Sequence, residues 1–295
     1  MRDLRLLVAI VESGSLHRAA NALSLTVAAV SKALIQLEQR LGVRLFDRFA
    51  SGVSPTPAGQ RLVASARRIL ADLDRDVAGA LSVADDLAGM VRIGLGPFPA
   101  SSLIDSLLPQ VEATWPALTL EVVIGYPEDL LAKLGAGELD FIICHLNDVR
   151  LADGFEALAV QRLAPVVLVG RHHPLAGRAE VEGRDLAGFR MAGSRPYGAS
   201  LDWFRLILGT EARHALVSAD YDLIGRAVRA TTLFTVCSHG LADRLCATYG
   251  LVALPLALPP INHVLYCVSR AGAAVGPAIE PVRELACRLL GPDEA

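Results

Sequence analysis

The sequence has 295 residues, a formal net charge of −3 and five cysteines. Its length leaves room for about two domains with sizeable cores and a connector. The cysteines are odd in number and form no Cys-x-x-Cys pair, which argues against a disulfide framework and a zinc ribbon and favours core thiols. The apolar N-terminal run is interrupted by charges, so it fits neither a signal peptide nor a membrane span, and we expect a cytoplasmic protein.

Charge is divided unevenly along the chain. Residues 1–68 carry ten Lys and Arg against four Asp and Glu, a net charge of +6, which leaves −9 for the remainder. This layout is expected when one end of a protein binds a polyanion and the other end must not. The weakly acidic total is therefore compatible with DNA binding.

The N-terminal segment has the pattern of short helices. Apolar residues recur at helical spacing from Leu4 to Val11, and Gly14 is typical of a left-handed C-terminal residue, so a first helix is predicted to end near Ser13. Ser15 is a suitable N-cap for a second helix, which is predicted to continue through Leu23.

A third helix, capped by Thr26, is predicted to have two different faces. One face is apolar and is assigned to the core: Val30, Leu34, Leu37 and Leu41. The other carries small, hydroxyl, amide and cationic side chains that suit a DNA major groove, and the alternative is a solvated helix face. Lys32 can reach a phosphate or a guanine, Gln36 can pair with adenine, and an apolar side chain can touch a thymine methyl. This face consists of Val27, Ala28, Ser31, Lys32 and Gln36.

A basic hairpin is predicted after Gly42. The run VRLFDRFASGVSPT reads as a strand with Arg44 and Arg48, a turn at Ser51-Gly52 and a return strand at Val53. Helices and hairpin together give the outline of a winged helix-turn-helix. The predicted DNA-binding residues are Thr26, Val27, Ala28, Ser31, Lys32, Gln36, Arg48 and Ser54.

A long helix is predicted next, with Thr56 as its cap and Pro57 in its first turn. It would extend through some thirty residues, roughly 45 Å at about 1.5 Å per residue. Its narrow apolar stripe consists of Leu62, Ala66, Ile69, Leu73, Val77, Leu81, Ala84 and Ala88. A helix of this kind needs a partner, and the simplest partner is its own copy running antiparallel.

Several motifs in this region match one family of regulators. They are the run AANAL, Ser31-Lys32, Leu37-Glu38, LGVRLFDR at residues 41–48, and Thr56 with Ala58-Gly59. With these motifs the chain resembles the LysR-type transcriptional regulators, and a weaker similarity continues over nearly all of its length. The family commonly has Gln-Pro at the start of the recognition helix, where this chain has Val27-Ala28, so the base contact of that Gln is not carried over.

The resemblance implies a ligand-responsive, DNA-binding transcriptional regulator that works as a dimer or tetramer. Its expected partners are a double-stranded DNA operator, a small-molecule effector, a second copy of itself and, if it is an activator, RNA polymerase. No enzymatic activity, cofactor, metal or membrane partner is expected.

Beyond Gly89-Met90 the pattern changes to alternating strands and helices, which predicts an α/β fold with a parallel sheet. The predicted strands are Val91–Leu95, Leu118–Ile124 and Phe141–His145, and the predicted helices are Ser102–Thr114 and Glu128–Gly135. Similar units run from Pro165 to about Ile261, and His263–Leu290 is predicted to return to the first subdomain as a strand and a helix.

Periodicity alone indicates only an α/β fold, whereas the LysR resemblance implies a two-lobed, periplasmic-binding-protein-like sensor domain with a ligand cleft. The expected division is a winged helix-turn-helix at 1–57, a linker and dimerisation helix at 58–88, and an effector-binding domain at 89–295. In that domain, lobe I would span about 91–162 and 263–291, and lobe II about 163–262.

Candidate effector residues lie in loops after the predicted strands, where helix N-termini offer N–H groups to an anion. Ser101 and Ser102 are predicted to open a helix, although they could be simple N-caps. Phe98 and Tyr126 could be ordinary lobe packing. The set is Phe98, Pro99, Ser101, Ser102, Tyr126, Pro127, His145, Ser194, Tyr197 and Thr232. Thr232 is included because the LysR resemblance implies a glycine-rich turn at its position. The set suits a small, partly aromatic or apolar molecule with an acidic group, such as a small organic acid.

Other chemistries find weaker support. Gly94-Leu95-Gly96 is a lone Gly-x-Gly, and there is no Gly-x-Ser-x-Gly motif, so no catalytic residue is predicted. His172-His173 precedes Pro174 and fits an exposed turn better than a metal site. Cys237 and Cys246 suggest a redox pair, but peroxide-sensing relatives carry theirs in the segment that matches 194–202, which has no cysteine here. The competing class is a cytoplasmic α/β solute-binding or enzymatic protein with an incidental basic N-terminal region.

Overall fold

The computed structural model describes residues 1–49, 52–81, 89–146, 149–162, 164–195, 199–256, 258, 264–272 and 276–291. Residues 1–81 form the body of one compact unit, and the two sheets that follow belong to a second unit.

The N-terminal unit is the predicted winged helix-turn-helix. Its elements are α1 (Arg2–Ser13), α2 (Leu16–Ala22), α3 (Val27–Leu41), the antiparallel hairpin strands β1 (Phe46–Phe49) and β2 (Gly52–Pro55), and α4 (Pro57–Leu81). Gly14 and Gly42 end α1 and α3 with φ of 59° and 65°, the left-handed geometry that glycine adopts without strain. The predicted end of the first helix is confirmed.

The core of this unit lies between the three short helices and the hairpin. Its buried residues are Leu6, Leu7, Ile10, Ala19, Ala20, Val30, Leu34, Leu37, Leu45, Phe46 and Val63. The predicted core position Leu41 is wrong, because its side chain is 49% exposed. Helix α3 ends at Leu41, and Leu45 and Phe46 complete the core after the chain has turned at Gly42.

Helix α4 begins as predicted. Thr56 Oγ1 accepts from the Gly59 N–H at 3.1 Å and donates to the Arg44 carbonyl at 2.9 Å. A Cβ at Gly59 would collide with the Leu45 carbonyl oxygen, so only glycine lets α4 approach the hairpin this closely. The helix is confirmed as far as Leu81; the last predicted turns, at 82–88, lie outside the described residues.

The second unit is built from two five-stranded sheets with helices against them. Its elements in chain order are β3 (Gly89–Leu95), α5 (Pro97–Ala100), α6 (Ile104–Thr114), β4 (Leu118–Ile124), α7 (Pro127–Ala136), β5 (Phe141–His145), β6 (Phe155–Arg162), β7 (Pro165–Val169), β8 (Met191–Gly193), α8 (Ala199–Leu208), β9 (His214–Val217), α9 (Tyr221–Ala230), β10 (Phe234–Ser238), α10 (His239–Tyr249), β11 (Val252–Ala253), β12 (Val264–Arg270) and α11 (Ile279–Leu290).

The sheet of lobe I has the order β4-β3-β5-β12-β6. Strands β3, β4 and β5 are parallel as predicted, and β12, whose direction was not predicted, is antiparallel to both of its neighbours. The reason is the return of the chain: β12 comes back from lobe II and enters between β5 and β6. Its place in the first sheet confirms the predicted return to that subdomain.

The sheet of lobe II has the order β11-β7-β10-β8-β9. Strands β8, β9 and β10 are parallel, and β7 and β11 are antiparallel additions. Central strands such as β5 and β7 are buried on both faces, as is typical of strands covered by helices, whereas the edge strands β4, β6 and β9 are partly exposed. The two-lobed, periplasmic-binding-protein-like fold is confirmed.

Within the described residues, no single helix is long and apolar enough to span a bilayer. One bent pair, α2 with α3, passes on combined length and composition, and its two helices meet at 105°.

Candidate functional site

The exposed face of α3 gathers three of the predicted DNA-binding residues. Ala28, Lys32 and Gln36 are exposed and recur every four residues, so they form one stripe along the helix. Thr26 caps the helix by accepting from the Ala29 N–H at 3.2 Å. Val27, predicted on the free face, is half-buried and packs against the core.

The hairpin is held next to this stripe by two contacts with α3. Arg48 Nη1 donates to Ser31 Oγ at 3.3 Å, which places a guanidinium beside the exposed face. Glu38 Oε1 accepts from the N–H groups of Leu45 and Phe46 at 2.7 and 3.1 Å, at the root of the wing. The role of Glu38 could not be found from the sequence, because it depends on where the hairpin folds back.

Charge on this surface is available to an outside partner. Within the described part of the chain, Lys32 and Arg48 make no ion pair, whereas Arg40 is paired with Asp3. Ser54, also predicted to contact DNA, is exposed but lies opposite the acidic Asp47 in the hairpin. Lys32 and Arg48 therefore place two positive charges where α3 meets β1.

The loops of lobe I converge as predicted. Because β3, β4 and β5 are parallel, the loops that follow them meet at one edge of the sheet. Phe98, in the first loop, packs edge-to-face on His145 of lobe I and on Tyr221 of lobe II, with both pairs of ring centroids 5.9 Å apart. Phe98 therefore joins the two lobes, which supports the packing interpretation. Pro99 in α5 and Pro127 at the start of α7 are buried at the same edge of the sheet.

Ser101 and Ser102 do not open a helix, so this prediction is wrong. They lie between the single turn α5 and helix α6, which begins at Ile104. Their hydroxyls donate to the carbonyls of Pro97 and Phe98 at 3.2 and 3.4 Å. Pro97 and Pro99 form the separate turn α5, so α6 begins at Ile104, two residues later than predicted.

A contact between the lobes was missed in the sequence. The Arg195 N–H donates to the Tyr126 hydroxyl at 3.2 Å, and the guanidinium carbon lies 4.2 Å from the centre of the Tyr126 ring. Ser194 precedes Arg195 and is half-buried, and Tyr197 lies outside the described residues. A basic residue directly after a strand of lobe II was the available signal, but its partner is 69 positions away.

Thr232 is at the wrong end of lobe II to join this cleft. Strands β8 and β10 are parallel with Met191 opposite Phe234, so Thr232, before β10, and Ser194, after β8, lie at opposite edges of the sheet. In this register Thr232 is level with residue 189, five residues before Ser194, so the two are about 16 Å apart along the strands at roughly 3.3 Å per residue. The grouping of Thr232 with the other effector residues is therefore wrong.

An acidic cavity of about 410 Å³ lies between the lobes. Its lining is Ala100, Ser101, Ile104, Asp105 and Ile124 from lobe I, and Ala219, Asp220, Asp222 and Arg244 from lobe II. Asp222 Oδ1 accepts from Arg244 Nη1 at 3.0 Å and from the Tyr249 hydroxyl at 2.9 Å, and Asp220 caps α9. Three carboxylates face one guanidinium, so this cavity repels an anion.

The remaining candidates have structural roles. His173 is buried against Phe189, with ring centroids 4.3 Å apart, and its Nδ1 accepts from the Leu175 N–H at 3.1 Å, so the exposed-turn prediction holds only for His172. Burial lowers the pKa of His173. No cluster of three or more His, Cys, Asp or Glu among the described residues could hold a metal.

Comparison with known proteins matches both units. A model described as a bacterial regulatory helix-turn-helix protein of the lysR family covers residues 1–60, and a LysR substrate binding domain model covers residues 84–289. The chain belongs to the LysR family. It is a ligand-responsive, DNA-binding transcriptional regulator, and regulators of this family bind DNA and small-molecule effectors and form oligomers.

Relatives of full length support this assignment. The chain is 29% identical to an SDS degradation transcriptional activation protein of a Pseudomonas species, covering 97% of this chain and 94% of the relative. It is also 29% identical to the dual regulator OxyR of Escherichia coli, covering 95% and 85%. The fold resembles ArgP of Mycobacterium tuberculosis, with a TM-score of 0.73 at 18% identity and coverage of 98% and 97%. It also resembles CbnR bound to its target DNA, with a TM-score of 0.55 at 19% identity and coverage of 98% and 99%.

Proposed function

We propose that this LysR-family regulator reads its operator with the stripe of Ala28, Lys32 and Gln36 in the major groove. The observation that carries the proposal is the position of Arg48, which Ser31 holds beside this stripe. Helix and wing then present two cations free of ion pairs to one stretch of duplex. Thr26 and Val27 hold the start of α3 in place, and Ser54 is assigned a phosphate contact.

A gel-shift titration tests this proposal against the competing class. The probe is DNA from upstream of the protein's own gene, with a scrambled sequence of equal length as the control. We expect a shift that survives an excess of scrambled competitor. An α/β solute-binding or enzymatic protein with an incidental basic region would bind both DNAs equally weakly.

We propose the following division of labour along the chain. Residues 1–57 bind DNA, 58–88 link and dimerise, and 89–295 sense the effector, with lobe I at about 91–162 and 263–291 and lobe II at about 163–262. The protein acts by binding rather than by catalysis, in the cytoplasm where its operator lies, and with RNA polymerase as a further partner if it activates transcription.

We propose that the effector is a small organic acid bound beside Tyr126 and Arg195. The Arg195 guanidinium already rests on the Tyr126 ring, and a carboxylate could take it over with charge-assisted hydrogen bonds. The neighbouring cavity is unsuited to an acid, because Asp105, Asp220 and Asp222 surround it. Ser101, which lines that cavity, is accordingly not the carboxylate contact.

Thermal unfolding with a panel of small carboxylic acids and the corresponding amides and amines separates these possibilities. We expect acids alone to raise the midpoint, and Arg195→Gln to abolish the effect. Asp105→Asn is the matched control and should respond like the wild type. If amines raise the midpoint and Asp105→Asn removes that effect, the acidic cavity is the effector site and the organic-acid proposal is wrong.

A further inference from the structure

The last strand and the last helix of lobe I carry two cysteines that face each other. Arg283 Nη1 on α11 donates to Ser269 Oγ on β12 at 3.3 Å, which fixes how the helix lies along the strand. Cys287 is about one helical turn beyond Arg283, and Cys267 is two residues before Ser269 on the same face of β12. Cys287 is thus displaced from Arg283 by about 5.4 Å along the helix, and Cys267 from Ser269 by about 6.6 Å along the strand, which are similar distances. Both cysteines pack in the same apolar cluster of lobe I, and a hydrogen bond joins the two thiols.

The two thiols differ in exposure and in their surroundings. Cys267 is only 1% exposed, whereas Cys287 is half-buried at the edge of the same apolar cluster. The hydrogen bond from Cys267 and the Arg283 guanidinium lower the pKa of Cys287, and the same hydrogen bond raises the pKa of Cys267. Arg283 is kept in position by two hydrogen bonds to Glu280, at 2.6 and 3.0 Å. Partial exposure and a nearby cation are the conditions under which a cysteine reacts.

Lobe II holds a second strand-and-helix pair, Cys237 on β10 and Cys246 on α10, which serves as an internal comparison. Burial raises the pKa of both thiols, and the charge beside them is the Asp243 carboxylate. Cys144 on β5 is fully buried, and burial raises its pKa to about 12. Of the five thiols, Cys287 alone combines partial exposure with a guanidinium one helical turn away, that of Arg283.

We propose that Cys287 and Cys267 are a redox-active pair that closes to a disulfide when the protein meets a hydroperoxide. The Cys287 thiolate attacks a peroxide oxygen, the O–O bond breaks, and the departing oxygen takes up a proton and leaves as water or an alcohol. Cys287 is then a sulfenic acid. The Cys267 sulfur attacks it, the S–O bond breaks, and the hydroxyl leaves as water with the Cys267 proton. Two thiols have lost two electrons to one hydroperoxide, and a dithiol reductant reverses the change.

The disulfide would act on lobe I as a whole. Bonded cysteines have Cα atoms about 4.4–6.8 Å apart, so a disulfide would fix the last turns of α11 against β12. Helix α11 also packs against α6 and β6, and β6 is the strand from which the chain leaves for lobe II. Oxidation would therefore reach the connection between the lobes. The chemistry at the two thiols depends on neither the operator nor the effector.

Peptide mapping of the full-length protein tests the pair directly. The protein is treated with one equivalent of hydrogen peroxide, its remaining thiols are alkylated, and it is digested without reduction. We expect a linked peptide joining Cys267 to Cys287, loss of two of the five thiols, and full recovery with dithiothreitol. In Cys267→Ala, dimedone should trap a sulfenic acid at Cys287. Cys246→Ala is the matched control and should form the same linked peptide at the wild-type rate.

Three results would overturn the proposal. Cys246 could react as fast as Cys287, the linked peptide could form only in denaturant, or Cys287 could link only to another copy of the chain. Should Cys267→Ala not fold, the wild type is treated with peroxide and dimedone together, and the first thiol to be labelled is identified. A first label at any thiol other than Cys287 contradicts the assigned order.

Discussion

Glu38 shows how a single side chain places the wing. Its carboxylate accepts from two successive backbone N–H groups, those of Leu45 and Phe46, at the point where the chain enters β1. Both N–H groups are part-buried, so losing their acceptor costs about 1–3 kcal/mol each in desolvation. Arg48 is two residues further on, and its position beside α3 depends on this anchor.

Substitution at Glu38 should therefore affect both stability and DNA binding. We expect Glu38→Ala to destabilise the N-terminal unit by about 2–6 kcal/mol, because two donors lose their partner. Glu38→Gln keeps an acceptor oxygen and is the matched control. Hydrogen exchange of peptides from residues 1–81 measures the difference. Equal protection in the alanine variant and the wild type would show that the wing root is held by other contacts.

His173 makes a pH dependence predictable in lobe II. Burial lowers its pKa, so the folded state binds the proton less readily than the unfolded state does. The stabilising effect of the neutral ring is present above the unfolded pKa near 6.5 and is lost as the pH falls through that value. We expect His173→Gln to lose less stability than the wild type between pH 7.5 and 5.5 in urea unfolding. Carboxylates contribute equally to both proteins, so parallel losses would contradict the assignment.

Helix α4 has an apolar stripe that the rest of the chain covers only in part. Ala66 is buried in the N-terminal unit, whereas Ile69 and Val77 are 46% and 49% exposed, and Leu73 between them is half-buried. A helix with apolar residues exposed at regular spacing is stabilised when a second copy covers them. We therefore place the dimer contact on this stripe.

A charge at the centre of the stripe should break the dimer. We expect Leu73→Asp to leave the sensor lobes folded and to shift the protein towards monomer in sedimentation, with weaker operator binding because two half-sites are no longer held together. Ala64→Asp adds the same charge at an exposed position off the stripe and should remain dimeric. A wild-type oligomer in the Leu73→Asp variant would place the interface elsewhere.

At the scale of the whole molecule, local signals and long-range contacts contributed differently to what could be predicted. Caps and periodicity were sufficient for α3, β4 and β5, because these depend on neighbours within a few residues. The antiparallel β12 could not be foreseen, since Leu265 pairs with His145 across 120 positions. Thr232 was misplaced because it was assigned from the family resemblance, whereas in the structure it precedes β10 and lies at the other edge of the sheet. Arg195 was missed because its partner Tyr126 is remote in the sequence.

The measurement that tests the account most directly is an operator titration at several salt concentrations with three proteins. The wild type is compared with Lys32→Ala and with Arg40→Gln, which removes one positive charge from the same helix but from a residue paired with Asp3. If Lys32 reads a base, we expect Lys32→Ala to weaken operator binding by about 1–3 kcal/mol. If Lys32 contacts a phosphate, we expect the variant to bind all DNA sequences more weakly, with a shallower salt dependence. Arg40→Gln should bind nearly as the wild type does. Equal affinity of folded Lys32→Ala and the wild type would remove Lys32 from the DNA interface and contradict the central claim that its stripe on α3 reads the operator.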